Sequence, residues 1–348
     1  MTGIISGRLV TGRGEAAGFT QLDWVRRQTI AYAGIDPYPG TVNLQITDAA
    51  SITAWRAVRS MPSATLTPPD ASFCSAQCIP LRIGGLAAAA VVPAIPDYPE
   101  DTIEVISAIR VRQQLALADG HTVGIEPWSH KRVKACIFDV DGTIFDSVNA
   151  YHELAMRAAR PFGYAVTIDH VRHALVTGSN FWSDVVPCDA AERELHIKSM
   201  GRSARDIWMP VLREHARIFP ALVDTLRALE RKGIALGIVT NASPALIELL
   251  EEAGVAHHFS AIVTNADVKK RKPDPEGILL CLEKMGVHPS EAAYVGDTPL
   301  DIDASNAACV HAFAVLTGAA DCAMLTRAGA HRLLENLDLL PSLLQGPR

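Results

Sequence analysis

The residues Phe138-Asp139-Val140-Asp141-Gly142-Thr143 set two carboxylates two positions apart, with a glycine next to let the backbone turn. The stretch before them, Val133 to Phe138, is short, apolar and partly β-branched, which reads as a buried parallel strand. Ligands of open α/β sheets collect beyond the carboxyl ends of the strands, so Asp139 and Asp141 would project into one crevice. Acids held together repel unless a cation lies between them, and hard oxygen ligands of this kind suit Mg²⁺. One carboxylate can then attack a phosphoryl group while the other handles the proton.

Three further polar clusters follow in order. Gly233 to Asn241 (GIALGIVTN) is an apolar strand ending in Thr240 and Asn241, donors suited to phosphate oxygens. Lys269 to Pro275 (KKRKPDP) supplies cations, with Lys272 directly before Pro273. Ala292 to Asp301 (AAYVGDTPLD) is another apolar strand, ending in Gly296-Asp297, with Asp301 one helical turn later. Nucleophile, hydroxyl donor, cation and metal-binding acids, each at a strand end or helix start, make up a phosphoryl-transfer site.

A second set lies near the N-terminus. Gly7 to Glu15 (GRLVTGRGE) is a strand running into a turn whose Gly12 and Gly14 let backbone N–H groups approach a phosphate chain; such turns are also common in plain hairpins. In Asp36 to Leu44 (DPYPGTVNL) a proline-fixed turn puts Thr41 and Asn43 on one face of a strand, because side chains two apart in a strand point the same way. That pair could hold a metal with nucleotide phosphates, or be two surface polar residues.

The elements that must position these groups fall into two blocks. A chain of 348 residues fits two domains. Residues 1–128 carry short segments punctuated by Gly and Pro (Gly3 to Thr11, Thr41 to Thr47, Cys78 to Ile83, Ala87 to Val92), one helix over Leu22 to Ala33, and a loop-like stretch from Ser60 to Ser75, which predicts a compact β-barrel. The block 129–348 alternates strand and helix down to a helix near Leu333 to Leu344. Between its first two motifs, about 146–219, helical periodicity dominates: Val148 to Phe162, Val171 to Val176, Ala190 to Met200 and Ser203 to Ala216.

Apolar residues at 49% and charged ones at 20% describe an ordinary globular chain, and a net charge of −6 gives nucleic-acid binding no support. Seven scattered cysteines and the absence of a signal-peptide pattern place it in the cytoplasm. The longest apolar run, Leu86 to Val92, is far short of a membrane span. Oligomeric state is not readable.

Over residues 131–348 the four motifs in order resemble the haloacid dehalogenase superfamily, and within it the phosphoglycolate-phosphatase-like hydrolases. The resemblance implies a Rossmann-like α/β core with a helical cap over the site. It makes Asp139 the nucleophile and Asp141 the general acid/base. Thr240 and Lys272 orient the phosphoryl group, and Asn241 is a substrate contact. Mg²⁺ is held by the Asp139 carboxylate, the Asp141 carbonyl and Asp297, supported by Asp301. An aspartate at 141 favours a hydrolase over a dehalogenase.

Over residues 3–126 the blocks already quoted, with Tyr98-Pro99-Glu100-Asp101, Glu104 to Arg112 (EVISAIRVR) and Asp119-Gly120, resemble the archaeal-type CTP-dependent riboflavin kinases, a six-stranded barrel family. This implies nucleotide contacts from Gly12, Arg13, Gly14, Glu15, Ala16 and Ala17 and from Ile109, Arg110, Val111 and Arg112. Mg²⁺ would lie on Thr41 and Asn43, and Glu104 would touch the flavin or its ribityl chain. The chain departs from the pattern at Pro96-Asp97, where the family has Thr-His, and at Arg110, where it has Asn; the acceptor side is altered more than the nucleotide side. The combined expectation is a bifunctional enzyme of flavin nucleotide metabolism. It would take a small phosphoester, CTP and riboflavin or FMN, with no nucleic-acid or membrane partner. The alternatives are a phosphatase with a nucleotide- or flavin-sensing barrel, and a kinase for a non-flavin alcohol.

Overall fold

The computed structural model describes residues 4–12, 16–127, 131–190 and 192–347. The chain divides into two compact units, Met1–Lys131 with Asp321–Glu335, and Arg132–Ala320 with Asn336–Arg348.

In chain order the first unit contains β1 (Ile5–Val10), α1 (Ala16–Phe19), α2 (Asp23–Ala33), β2 (Val42–Gln45), α3 (Ala49–Arg59), β3 (Ala64–Leu66), β4 (Ala76–Ile83), β5 (Leu86–Pro93), β6 (Thr102–Ile106), α4 (Val111–Gln114) and β7 (Thr122–Pro127). The antiparallel order is β3-β4-β5-β6-β2-β1-β7, and β4 pairs again with β7, as Leu81 with Pro127 and Ile83 with Ile125. Six strands therefore close on themselves, with β3 added outside. The expected six-stranded barrel is present. Its interior is narrow, and β5 fills it with Ala88, Ala90 and Val92 against Leu9, Leu44, Ile103 and Ile125.

Helix α3 was not foreseen. Asp48 caps it by accepting from the Ser51 N–H at 2.8 Å, and Trp55 and Val58 bury themselves in the barrel core. The capping aspartate and the spacing of Ile52, Trp55 and Val58 carry that signal in the sequence. Strand β3 likewise lies inside the stretch read as loop.

Strand β8 (Lys131–Arg132) leads into the second unit. Its core elements are β9 (Ala135–Phe138), the short strand β10 (Phe145–Asp146), cap helices α5 (Val148–Ala159), α6 (Ile168–Thr177), α7 (Phe181–Val185) and α8 (Arg193–His215), then β11 (Arg217–Ile218), α9 (Leu222–Arg231), β12 (Ala235–Val239), α10 (Leu246–Glu252), β13 (Ala261–Val263), α11 (Glu276–Met285), β14 (Ala292–Gly296), α12 (Pro299–Ala307) and β15 (His311–Val315). Five parallel strands run in the order β13-β12-β9-β14-β15. Every residue of β9 is fully buried, as a central parallel strand requires. β10 pairs antiparallel with β11, forming a two-stranded stem from which the four cap helices emerge.

Two expectations are corrected. The two helices expected over Ala190 to Ala216 are one helix, α8, which runs through Gly201 and carries Pro210 inside it. The expected C-terminal helix is a strand at Arg332–Leu334 and a single turn at Leu340–Leu343. Asn336 breaks the run by accepting from the Asp338 N–H at 2.8 Å, and Pro341 starts the last turn.

Candidate active site

Parallel register brings the motifs of the second unit to one edge. Phe138 lies opposite Ile238 of β12 and Val295 of β14, so Asp139, Thr240 and Asp297 follow immediately past the ends of three adjacent strands. Asp139 and Lys272 then meet, with the ammonium 2.7 Å from Asp139 Oδ1. Lys272 Nζ also lies 2.5 Å from Asp301 Oδ1 and 2.9 Å from the Tyr294 hydroxyl.

Lys272 sits in the loop between β13 and α11, and Asn241 fixes that loop. The Lys272 N–H donates to Asn241 Oδ1 at 3.0 Å, while Asn241 Nδ2 donates to the Lys272 carbonyl at 3.2 Å. Asn241, expected to touch substrate, thus commits both ends of its amide to the lysine backbone. Thr240 is buried and accepts from the Ala242 N–H at 3.1 Å.

Asp301 is completely buried in the first turn of α12. Its Oδ2 accepts from the Thr298 N–H at 3.0 Å and hydroxyl at 2.6 Å, and its Oδ1 faces Lys272 and the Tyr294 hydroxyl. Both oxygens are taken, which makes Asp301 a support for Lys272. Asp297 Oδ2 accepts from the Ala319 N–H at 2.9 Å, and Oδ1 from the Thr143 hydroxyl at 3.3 Å. Glycines leave room for these acids. A Cβ on Gly142, whose φ is +79°, would stand 2.5 Å from Asp297 Oδ2, and one on Gly318 would stand 1.9 Å from it. Asp141 accepts from the Tyr151 hydroxyl of α5 at 3.0 Å.

Electrostatics show what the arrangement lacks. Carboxylate oxygens of Asp139, Asp297 and Asp301 all lie within 4.8 Å of one another, all three side chains are buried, and the Lys272 ammonium bridges Asp139 and Asp301. Were all three ionised, they would carry two more negative charges than Lys272 balances, a difference that protons or a cation must make up. Burial pushes Asp139 up to about 7 despite the pull of Lys272, and burial followed by the neighbouring acids raises Asp297 well above the carboxylate range. Burial also raises Asp141. For Lys272, burial acts downward, but Asp139 and Asp301 more than reverse it and keep it an ammonium. A cluster of hard oxygens with excess negative charge fits a divalent cation held by Asp139 and Asp297.

In the first unit, a polar group gathers where β1, β2 and β6 adjoin. Asn43 pairs with Val10 on one side and with Glu104 on the other. Thr41 donates to Asn43 Oδ1 at 3.3 Å, as one-face placement predicts, and Asn43 Nδ2 lies where a Cβ on Gly12 would fall, at 1.9 Å. Glu104 accepts from the Tyr98 hydroxyl at 3.0 Å. Arg112 pairs with Asp119 at 2.5 Å and donates to the Val10 carbonyl at 2.8 Å, and the Thr11 hydroxyl also donates to Asp119. Arg112 therefore ties the end of β1 to the loop before β7. Ile109 and Val111 are buried in the barrel core, which leaves only their backbone for a nucleotide, whereas Arg110 is exposed. Ala16 and Ala17 open α1. Arg13, Gly14 and Glu15 lie outside the described residues.

Sequence reasoning missed Tyr151, Tyr294 and Thr143. Tyr294 reads as one more apolar strand residue, and Tyr151 as one more residue of an amphipathic helix. Thr143, directly after the glycine of the first motif, carried the clearest signal of the three.

Known proteins resemble both parts of this chain. A profile of haloacid dehalogenase-like hydrolases matches residues 136–315, and one for CTP-dependent riboflavin kinases, described as a domain of unknown function (DUF120), matches residues 9–126. Escherichia coli K12 phosphoglycolate phosphatase is 30% identical over 203 residues, covering 51% of this chain and 78% of that protein. The Salmonella typhi phosphoglycolate phosphatase is 29% identical over 205 residues, covering 51% and 79%. Among solved structures, a Bacteroides fragilis protein assigned as a haloacid dehalogenase-like hydrolase superposes with a TM-score of 0.53 at 25% identity, over 60% of this chain and 99% of that one. A Pseudomonas syringae hydrolase, at 24% identity and a TM-score of 0.51 over 60% and 97%, shows the same fold. With the acid–lysine cluster at its strand ends, the chain belongs to the haloacid dehalogenase-like hydrolase family.

Proposed function

We propose that the second unit is a Mg²⁺-dependent phosphomonoester hydrolase working through an aspartyl-phosphate, joined to a CTP-dependent kinase barrel in flavin nucleotide metabolism. The observation that carries the hydrolase reading is the buried convergence of Asp139, Asp297 and Asp301 around Lys272. An Asp139 carboxylate oxygen attacks phosphorus, the P–O ester bond breaks, and Asp141 gives its proton to the departing alkoxide. Asp141 then takes a proton from water as that water attacks the aspartyl-phosphate phosphorus, releasing phosphate and restoring Asp139. Lys272, oriented by Asp301 and by Asn241, offsets charge on the transferring group, with Thr240 beside it. Held by the Asp139 and Asp297 carboxylates and the Asp141 carbonyl, Mg²⁺ would supply electrostatic neutralisation. The cap helices exclude water and select the leaving group. Phosphoglycolate, the substrate in the relatives' names, and FMN are the first esters to try.

The kinase reading rests on Gly12, Thr41, Asn43 and Glu104 sharing one face of the barrel, where Thr41 and Asn43 would hold Mg²⁺ beside the CTP phosphates and Glu104 would meet riboflavin. One observation favours a sensing barrel or a different acceptor: Asp97, in the departed loop beside Tyr98, sits at φ +58°. A strained residue there gives the acceptor side a shape of its own. A cytoplasmic enzyme is consistent with seven free thiols, and no helix among the described residues is long and apolar enough to cross a membrane.

Phosphate release from a panel of phosphomonoesters, comparing wild type with Asp139→Asn, tests the hydrolase. Activity surviving in the variant removes the nucleophile. Riboflavin supplied with CTP or with ATP tests the barrel: turnover with CTP supports the kinase, and saturable binding without turnover supports the sensor.

A further inference from the structure

The two oxygens of Asp141 are not equivalent. Oδ2 accepts from the Tyr151 hydroxyl at 3.0 Å, whereas Oδ1 is buried and has no hydrogen-bond partner among the described residues. The Ser147 hydroxyl, also buried and without a hydrogen-bond partner among the described residues, is near enough to pull Asp141 downward but stands outside hydrogen-bond geometry. Tyr151 belongs to the cap. It lies in α5 one turn past the stem strand β10, and its ring packs with Val148, Ala155, Val171 and Ala319. The donor to the acid/base is thus delivered by the cap helix, while the core supplies the nucleophile, the lysine and the other acids.

A carboxyl group that must pass one proton to a leaving oxygen benefits from having one oxygen tied and the other free. A tied oxygen fixes the rotation of the group, and a free one carries the proton at a defined point. We propose that Tyr151 is a positioning residue that reserves Asp141 Oδ2, so that Oδ1 alone gives its proton to the leaving alkoxide and later takes one from water. This rests on the phosphatase reading above. A purely structural tyrosine would need only its ring; the hydroxyl, aimed at the acid/base, is what the proposal explains.

The test uses the full chain with Mg²⁺ and two esters of different leaving-group demand. p-Nitrophenyl phosphate expels a stable phenolate that needs no proton. Phosphoglycolate or FMN, whichever is turned over, expels an alkoxide that does. Alcohol release is followed in a single turnover, which isolates the first half-reaction. Tyr151→Phe is expected to slow release from the alkyl ester by about tenfold or more, the size of a lost hydrogen bond to a charged group, with KM within about twofold, and to leave p-nitrophenol release within about threefold. Asp141→Asn should show the same selectivity more strongly, and adding Tyr151→Phe to it should cost nothing more. Equal slowing of both esters, an unchanged alkyl ester, or additive losses in the double variant overturn the proposal. Wild-type protein inactive on both esters overturns the phosphatase reading, and this proposal with it.

Discussion

Replacing Lys272 by Met keeps most of the side-chain volume and removes the charge. In the structure the ammonium is 2.7 Å from Asp139 and 2.5 Å from Asp301, and only 5% of its side chain is exposed. Asp139 and Asp301 would become buried acids with no cation beside them. Breaking a buried pair by deleting one partner costs about 3–5 kcal/mol. For a unit of this size each kcal/mol moves the melting point by about 2–4 °C, so a drop of about 6–20 °C is expected in chelator. Saturating Mg²⁺ supplies positive charge to Asp139 and should recover part of it. The assay is thermal unfolding of the full chain in EDTA and in Mg²⁺, following the transition that the metal shifts. A Lys272→Met melting point within about 2 °C of wild type in EDTA would refute the idea that this lysine balances the cluster. So would a loss that Mg²⁺ leaves untouched. Hydrolysis should fall by about a hundredfold or more in either case.

Further outcomes follow from the same geometry. Asp139 has an ordinary value of 3.8 and is pushed up to about 7 in the fold, chiefly by burial. Folding in chelator therefore takes up a proton between about pH 4 and 7, so this site adds stability as pH falls through that window and loses it above. Mg²⁺ must displace that proton, so its affinity, read by calorimetric titration at pH 6 and 8, should weaken by about tenfold per pH unit below 7. Gly142→Ala puts a methyl 2.5 Å from Asp297 Oδ2 at a φ of +79°, and should weaken Mg²⁺ binding and cut hydrolysis by about a hundredfold; wild-type rates would show that Asp297 is not a metal ligand. Gly12→Ala drives a methyl into the Asn43 amide at 1.9 Å, and should abolish CTP binding by the barrel while phosphate release stays at wild-type rate. CTP binding that survives moves the nucleotide site elsewhere.

The strand ends were legible because the residues that define them are local. Ala135 to Phe138 and Ala292 to Gly296 are apolar runs that stop at an acid, and the strands β9 and β14 end within a residue of those acids. Thr41 and Asn43 fall on one face for the same reason, the two-residue period of a strand. Helix α5 was readable from its spacing. Helix α3 is masked in the sequence, although its cap and apolar positions are present, because the short Gly- and Pro-punctuated segments on either side have the pattern of strands. Gly201 has the look of a break between two helices, yet α8 runs through it, since a helix tolerates glycine at modest cost when packing supports it.

By itself, the sequence determined which residue types stand at each strand terminus and which side chains share a face, since both depend on neighbours a few positions away. The tertiary structure decided who meets whom. Lys272 reaches Asp139 and Asp301, Asn241 grips the Lys272 backbone, and Tyr151 bends from the cap to one oxygen of Asp141. None of these distances is set by spacing along the chain. They follow from the register of parallel strands and from helices packed on a common core, where burial strengthens every charge it brings together.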